Sequence, residues 1–239
     1  MVMRSFLASI RANSVALTCL FIAGLICLIA IPRVLVASSA LSSALTIFAL
    51  EQNFPVSVEE ILIAERGLHN ALSYGVDTAA TNSQLSYLSL YKLTNTPPTS
   101  EARRELQLVR QRVEDALKRR PLDAYLWTRY AHVSYLLDGL SPYTLAALAR
   151  SFQYGSDEYE LFKFRMVLCV KEWQNLPTSL QQLTRKQVLY GAAQKRLWGQ
   201  LLADMDTESG EQLLALLNEA SIDTKEIEQR ARWIKQTRQ

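Results

Sequence analysis

Apolar residues near the N-terminus form almost unbroken runs, without the spacing of an amphipathic helix or of a half-buried strand. Ala12 to Pro32 comprises 21 residues without a charge. At about 1.5 Å per residue, a helix of that length reaches roughly the 30 Å thickness of a bilayer's hydrocarbon core. The pattern predicts a single transmembrane anchor at residues 12–36, preceded by a short segment, residues 1–11, on the cytoplasmic side.

A second uncharged run, Val34 to Leu50, follows directly and is richer in serine. Two antiparallel spans would need a turn at Pro32 and Arg33, which are fewer residues than helix–helix connections usually take. We therefore expect residues 37–54 to form a membrane-proximal helix or linker. It would be either the end of one long helix that leaves the membrane or a second, interfacial helix, and the pattern leaves open whether this run also enters the bilayer.

A cleaved secretory leader is the main alternative to an anchor. Val36 to Ala40 reads VASSA, a small-residue stretch of the kind that signal peptidase cleaves. The apolar run before it is longer than the roughly 7–15 residues of a signal-peptide core. We therefore expect the anchor to stay uncleaved, and a secreted helical binding protein is the alternative.

From Pro55 onward the pattern changes to helical periodicity with recurrent start signals. Ser57 and Glu60 form a capping box before an apolar stripe that begins at Ile61, and Gly75 is placed to end that helix. Strand signals are scarce. The sequence predicts an all-α fold: an N-terminal transmembrane helix followed by a domain of α-hairpins at residues 55–239.

The other predicted helices are joined by short turns, which favours antiparallel neighbours. The Pro97–Pro98 pair marks one connection, and Ser141–Pro142 is the strongest local start signal. The predicted helices cover 82–93, a segment from Thr99 to about Arg119, 123–137, 141–152, a segment from Ser156 that carries Trp173, a long helix 179–205, and two final helices that begin at Thr207 and Asp223.

Residues 116–131, ALKRRPLDAYLWTRYA, resemble the junction between two tetratricopeptide repeats. A small residue near the end of one helix, a proline, a large aromatic and a second small residue follow at that family's spacing. These positions are Ala116, Pro121, Trp127 and Ala131. The resemblance implies that Pro121 ends one helix, that Trp127 packs between two helices, and that Ala131 lets them approach closely.

The same resemblance implies a binding groove on the helix after Pro121. Its groove-lining side chains would be those of Tyr125, Thr128, His132 and Tyr135. Tyrosine and histidine combine apolar rings with polar tips, which suits contact with a peptide or a glycan. The alternative is that these side chains pack on the neighbouring hairpin. The likeness extends loosely over residues 57–175 without a second clean copy, so a tetratricopeptide-like domain is expected rather than a regular array.

A second likeness concerns the arrangement P-x-D-x-x-x-W at Pro121 to Trp127, which is followed by an Ala-rich helix ending in SFQYG. This arrangement is similar to that of small membrane proteins from bacterial exopolysaccharide clusters. The resemblance implies a protein partner in the cell envelope, in polysaccharide or envelope assembly.

Charge is distributed unevenly along the chain. It carries 26 Lys and Arg against 23 Asp and Glu, and Arg4, Arg11 and Arg33 all precede the first acidic residue, Glu51. The rest of the chain is formally neutral, which is atypical of a nucleic-acid-binding domain. Basic residues before the span favour a cytoplasmic N-terminus. We therefore expect a single-pass inner-membrane protein with a periplasmic C-terminal domain.

Candidate catalytic chemistry is sparse. The chain has three Cys and two His, and His69 and His132 belong to no metal-binding motif. Ser89 and Lys92 satisfy S-x-x-K without its companion motifs. We expect no catalytic residue, no metal and no cofactor. The predicted function is a non-enzymatic adaptor or scaffold; an envelope enzyme with an unrecognised site is the alternative.

Overall fold

The predicted all-α class is confirmed by the computed structural model. It describes residues 2–51, 54–94, 97 and 99–237, so Pro98 of the Pro97–Pro98 pair lies outside the described residues. Of the described residues, 83% are helical, and none of them lies in a strand. It divides into two compact units, Met1–Leu85 and Ser86–Gln239.

The described residues form twelve α-helices and one 3-10 turn, Trp173–Asn175. The helices are α1 (Val2–Ser39), α2 (Leu41–Glu51), α3 (Val58–Ser73), α4 (Thr78–Thr94), α5 (Ser100–Arg119), α6 (Ala124–Asp138), α7 (Pro142–Tyr154), α8 (Tyr159–Lys171), α9 (Thr178–Tyr190), α10 (Lys195–Asp204), α11 (Thr207–Glu219) and α12 (Lys225–Thr237).

In the first unit, α1 and α2 form a nearly continuous rod. The helical hydrogen-bond pattern crosses their junction, because Ala40 N donates to Val36 O at 2.9 Å and Ala44 N to Ala40 O at 3.1 Å. Within α1, Ala16–Ser39 is long and apolar enough to cross a membrane, with a mean hydropathy of 2.6.

Helix α3 runs antiparallel to this rod and packs on it. The hydroxyl of Ser43 donates to Ala64 O at 2.8 Å, and the Gly67 Cα lies against the Ser39 carbonyl. A Cβ at Gly67 would collide with that carbonyl, so glycine is required for the close approach. The predicted capping box is confirmed: Glu60 N donates to Ser57 Oγ at 3.2 Å, and Ser57 N donates to Glu60 Oε2 at 2.7 Å.

The second unit begins with successive α-hairpins, in which α6 packs against α5, α7 and α8. The predicted starts of α5, α6 and α7 are confirmed by their caps. Thr99 accepts a hydrogen bond from Ala102 N, Asp123 accepts from Tyr125 N and Leu126 N, and Ser141 accepts from Thr144 N. Such caps satisfy amides that have no partner inside the helix.

The core of the second unit runs from the α6–α7 contact into the C-terminal helices. Ala131 and Ala147 are small and buried where α6 meets α7. Further along, α8 to α12 enclose large side chains that are almost fully removed from water. These are Met166, Trp198, Leu201, Leu213, Leu217 and Ile227.

The single long helix expected at Ser179–Met205 is wrong. Helix α9 ends at Tyr190, and α10 begins at Lys195 after a turn. A Cβ on Gly191 would lie 2.7 Å from ring atoms of both Phe162 and Trp198. The indole Nε1 of Trp198 also donates to Gly191 O at 2.7 Å. Packing of the turn against two aromatic rings therefore interrupts the helix, and periodicity alone does not reveal it.

Three other expectations about helix boundaries also differ from the structure. Helix α8 begins at Tyr159 and not at Ser156, whose hydroxyl donates instead to Asp157 Oδ1 at 2.9 Å. Trp173 lies in the 3-10 turn after α8 and not within a helix that starts at Ser156. Helix α4 extends over Thr78–Thr94, longer than the expected 82–93.

Candidate functional site

The four predicted groove residues all lie on α6, and two of them contact the following hairpin through their hydroxyl groups. The Tyr125 hydroxyl donates to Glu158 Oε2 at 3.1 Å, just before α8. The Thr128 hydroxyl is buried, donates to Ala124 O at 2.8 Å and lies 2.5 Å from the hydroxyl of Ser151 on α7. Thr128 therefore connects α6 to α7 inside the unit.

His132 and Tyr135, further along α6, contact α8 and the residue that follows it. The imidazole of His132 stacks on Phe164 with ring centroids 4.3 Å apart, and its Nε2 lies 3.3 Å from Thr94 Oγ1. Burial of this largely enclosed ring lowers the pKa of His132 to about 4, so the ring is neutral near pH 7.

The Tyr135 hydroxyl donates to Glu172 Oε1 at 2.6 Å. Burial, reinforced by this carboxylate, raises the pKa of Tyr135, and the same hydrogen bond lowers the pKa of Glu172. The Lys171 ammonium lies 5.6 Å from the centroid of the Tyr135 ring. Thr128, His132 and Tyr135 are thus engaged with neighbouring helices of the same unit. Of the four residues, Tyr125 lines an open pocket.

The repeat-signature residues lie at the α5–α6 hairpin. Ala116 and Ala131 are buried, and Pro121 lies in the exposed turn between the helices. Trp127 is only partly buried, which corrects the expectation of interior packing. Its indole Nε1 donates to Pro121 O at 2.7 Å, and the Arg150 guanidinium lies 4.4 Å from its ring centroid. The indole therefore fastens the turn to α6 at the edge of the core.

An open pocket of about 470 Å³ lies where the α5–α6 turn meets the α7–α8 turn. Leu122 and Tyr154 are its exposed apolar and aromatic groups, with 68% and 38% of their surfaces accessible. Arg120 forms an ion pair with Asp123 at 3.0 Å. The full lining is Arg120, Pro121, Leu122, Asp123, Ala124, Tyr125, Tyr154 and Glu158.

Helix ends position these lining residues. Arg120 follows the last residue of α5, and the Asp123 carboxylate caps α6. Tyr154 is the last residue of α7, and Glu158 precedes the first residue of α8. A Cβ on Gly155 would lie 2.5 Å from the Ala124 side chain, so glycine lets the α7–α8 turn approach α6. The two turns thereby share one pocket.

A buried arginine on α8 hydrogen-bonds to the end of α7 and to the α7–α8 turn. The Arg165 side chain on α8 donates from Nε to Ser151 Oγ at 2.8 Å and from Nη1 to Gly155 O at 2.7 Å. A third bond joins Nη2 to Ser151 O at 2.5 Å. Burial lowers the pKa of Arg165 to about 10, so the guanidinium stays charged near neutral pH. The sequence analysis did not identify this residue, because an arginine on a helix is usually solvated.

The pocket also contains residues that the sequence analysis missed. Arg120, Leu122, Tyr154 and Glu158 are separated by up to 38 positions, and their proximity depends on how two hairpins pack. A leucine in a turn directly after Pro121 was the available signal, because a large apolar residue at such a position is exposed.

The pocket is chemically suited to noncovalent recognition. It combines an exposed leucine and two tyrosines with one guanidinium and two carboxylates, a formal charge of −1. Among the residues that the structure describes, no group of three His, Cys, Asp or Glu could hold a metal ion.

Comparison of the chain with protein-family models, with curated proteins and with solved structures finds no match in any of the three.

Proposed function

We propose that this protein is a non-enzymatic, single-span membrane adaptor whose second unit binds a segment of another envelope protein. The observation that carries the proposal is the open pocket at the α5–α6 and α7–α8 turns, where Leu122 and Tyr154 are exposed beside Tyr125. Exposed apolar side chains in a concave site, surrounded by polar groups, are typical of docking surfaces.

Packing in the first unit supports an uncleaved anchor. Cleavage within Val36 to Ala40 would cut the chain inside the α1–α2 rod, where Val36 is 8% exposed and Ser39 lies against Gly67 of α3. A leader that is removed has no reason to share a core with the domain that remains. Intact mass measurement of the membrane fraction tests this: we expect the N-terminal 40 residues to be retained, and a protein that lacks them would be secreted instead.

For the orientation, we propose a cytoplasmic N-terminus and a periplasmic second unit in the inner membrane. Arg4 and Arg11 precede the span, and positive charge is retained on the cytoplasmic side. A reporter enzyme that is active only in the periplasm, fused after Gln239, should be active. An inactive fusion that is nevertheless present at normal abundance would reverse the orientation.

The α5–α6 hairpin supports a tetratricopeptide-like assignment of the second unit. Ala116 and Ala131 are buried, and Pro121 lies in the turn, in agreement with the roles that the resemblance implies. Because α8 occupies the inner face of α6, the pocket at the turns replaces a continuous groove as the proposed binding site. A role in exopolysaccharide assembly is proposed from the sequence resemblance alone.

Site-specific photo-crosslinking in cells tests the docking proposal. A photo-reactive amino acid in place of Leu122 should crosslink a defined envelope protein. The same amino acid in place of Tyr143 is the matched control, because Tyr143 is also 68% exposed but lies at the opposite end of α7 from Tyr154. Equal crosslinking to the same protein from both positions, or none from Leu122, would contradict the proposal.

Affinity for the protein captured in that way provides a second test. Leu122→Ala should weaken binding about tenfold, a loss of about 1.4 kcal/mol, as expected for an apolar contact at the centre of a docking site. Tyr143→Ala should leave the dissociation constant unchanged. Loss of affinity in both variants would place the interface elsewhere on the second unit.

A further inference from the structure

No described residue of the first unit covers the outer face of α2. Ser43, Ile47 and Leu50 pack toward α3. On the opposite face, Leu41, Leu45 and Phe48 are large, apolar and 62%, 66% and 57% exposed. A helix that is apolar all round is normally enclosed by protein or lipid.

Lipid does not account for this face. The segment that is long and apolar enough to cross a bilayer ends at Ser39, before Leu41. Because α2 continues the axis of α1, Leu41 to Phe48 lie about 3–14 Å beyond Ser39 at 1.5 Å per residue. Arg33, whose side chain is 60% exposed, lies 3.9 Å from the Asp77 carboxylate, so the end of that segment already carries polar groups. The face on α2 therefore calls for a protein partner.

The sequence of the rod indicates which partner. Small and larger residues alternate at heptad spacing along one side of α1 and α2, as in a two-helix seam. We use "seam" for these positions. The small ones are Ala16, Ala23, Ala30, Ala37 and Ala44, and the larger ones are Leu20, Cys27, Val34, Leu41 and Phe48. All ten are exposed, and the two most C-terminal larger positions, Leu41 and Phe48, belong to the exposed face of α2.

Pro32, which disfavours close helix packing, occupies the heptad position farthest from the seam. Arg33, the next residue, is also not a seam position, and its side chain reaches toward Asp77 of its own chain. The seam is thus uncharged from Ala16 to Phe48. A continuous uncharged side of about 33 residues is about 50 Å long, longer than a bilayer's hydrocarbon core.

We infer that a second copy of this chain packs along the seam, parallel to the first and related to it by a two-fold axis. Inside the bilayer, where burial of apolar surface contributes little, the alanines allow the two backbones to approach closely. Beyond the bilayer, Leu41 and Phe48 gain by leaving water. The same seam can therefore pair the two copies both inside the bilayer and in the water beyond it.

The area of the interface supports a seam that includes both helices. Leu41, Leu45 and Phe48 together could bury roughly 300 Å² per copy, given the size of such side chains and their exposure. A stable protein interface buries about 800 Å² per partner. The face on α2 is too small alone, and continuation along α1 supplies the remainder.

Two-fold symmetry makes each seam residue meet its own copy. Cys27 is a seam position, whereas Cys19 lies one residue off the seam, and both thiols are exposed. Oxidation of native membranes with copper phenanthroline should therefore yield a Cys27–Cys27 disulfide. Two copper(II) ions each take one electron, and the two thiol protons pass to water as the S–S bond forms. We expect the Cys19→Ser chain to crosslink as a dimer and the Cys27→Ser chain to remain monomeric. The reverse pattern, or monomer in both, would overturn the proposal.

A matched pair of neighbours on α1 provides the decisive comparison. In a chain with Cys19→Ser and Cys27→Ser, Val34→Cys lies on the seam, and Leu35→Cys is exposed but faces away from it. A disulfide needs Cβ atoms about 4 Å apart, so the crosslinked fraction should be at least about fivefold higher at position 34. Leu41→Cys should behave like Val34→Cys. Equal crosslinking at 34 and 35, or none at 34 and 41, would overturn the seam.

The inference assumes the proposed anchoring of α1, and the experiment separates the two. Membrane pellets are analysed before and after oxidation. Absence of the chain from the pellet would overturn both the anchor and the seam. Presence of the chain with equal crosslinking at both positions would overturn only the seam. Crosslinking from Leu122 at the pocket depends on neither result.

Discussion

The two units use the same motif, antiparallel helices, but differ in the residues that face outward. In the first unit, α1 and α2 expose many of their large apolar side chains, including Phe21 at 71% and Phe48 at 57%. In the second unit, the side chains of Trp198, Met166 and Leu148 are almost completely buried. The comparison shows that helix pairing alone does not indicate which medium suits a pair of helices. The outward-facing side chains carry that information.

Charged side chains are rare on the N-terminal rod and common on the surface of the second unit. Between Ala12 and Leu50 the only charged residue is Arg33. The second unit instead carries ion pairs on its surface, such as Arg110 with Asp138 at 2.7 Å and Lys163 with Asp204 at 3.1 Å. Exposed pairs of this kind add little stability but keep a surface compatible with water. The two units should therefore respond to different perturbations.

The largest effect is expected from charge inside the span. Leu25→Lys combined with Ile29→Lys should abolish membrane association, because a lysine at the centre of a span costs about 2.5–3.5 kcal/mol. Melting of the second unit should be unchanged. Fractionation and thermal denaturation measure the two properties, and Leu25→Val with Ile29→Val is the control. Retention of the lysine variant in the membrane would contradict the assignment of α1 as the anchor.

The next effect concerns two tryptophans of the second unit. Trp198→Ala should lower the free energy of unfolding by about 3–5 kcal/mol, as for a fully buried aromatic. Trp127→Ala should cost about 2 kcal/mol, because that indole is partly exposed. Each indole donates to a backbone carbonyl at 2.7 Å, so the hydrogen-bond loss is matched. Denaturant unfolding of the full chain in detergent measures both free-energy losses. Equal losses would show that the difference in burial between the two indoles does not set their contributions to stability.

A smaller effect should appear in the first unit at Gly67. Gly67→Ala would place a Cβ against the Ser39 carbonyl and separate α3 from the rod, at a cost of about 1–3 kcal/mol. Gly24→Ala is the control, because a Cβ at Gly24 has no atom within 4 Å. Trypsin cleavage after Arg66 should become faster only in the first variant. Unchanged protection would mean that α3 tolerates the displacement.

The smallest effect is a pH dependence from His132. Its pKa is about 4 in the folded chain against about 6.5 when unfolded, so the unfolded state binds more protons between these values. The contribution of neutral His132 to the free energy of unfolding is fully present above about pH 6.5 and is lost as the pH drops toward 4. The loss between pH 7 and pH 5 is about 1–2 kcal/mol. The effect belongs to the second unit alone.

Matched variants isolate this titration. His132→Gln removes the ionisable ring and should flatten the dependence of unfolding free energy between pH 7 and pH 5. His69→Gln alters the only other histidine, which is exposed, and should leave the dependence unchanged. A steep dependence that survives in His132→Gln would assign the titration to carboxylates.

Local signals predicted much of the fold. Ser57, Asp123 and Ser141 were identified as helix caps because a cap involves only residues three or four positions apart. The break at Gly191 was missed, because it depends on Phe162 and Trp198, which reach the turn from other helices. Helical periodicity across residues 179–205 does not register that contact.

The candidate site was predicted only in part. The sequence placed Tyr125, Thr128, His132 and Tyr135 on one helix, and its pattern could not decide whether that face was open. Phe164 and Glu172, from α8 and the residue after it, occupy positions beside His132 and Tyr135. Tyr154 and Glu158 join Tyr125 in the pocket only because Gly155 allows two turns to meet.

The order of residues along the chain was enough to specify an all-helical protein with an apolar N-terminal rod, because hydropathy runs and caps act over a few neighbouring positions. Packing between helices decided which faces are closed. It inserted Arg165 beneath a turn, left one pocket open beside Leu122, and exposed the outer side of α2. Such contacts join residues distant along the chain, and their geometry exists only once the helices have assembled.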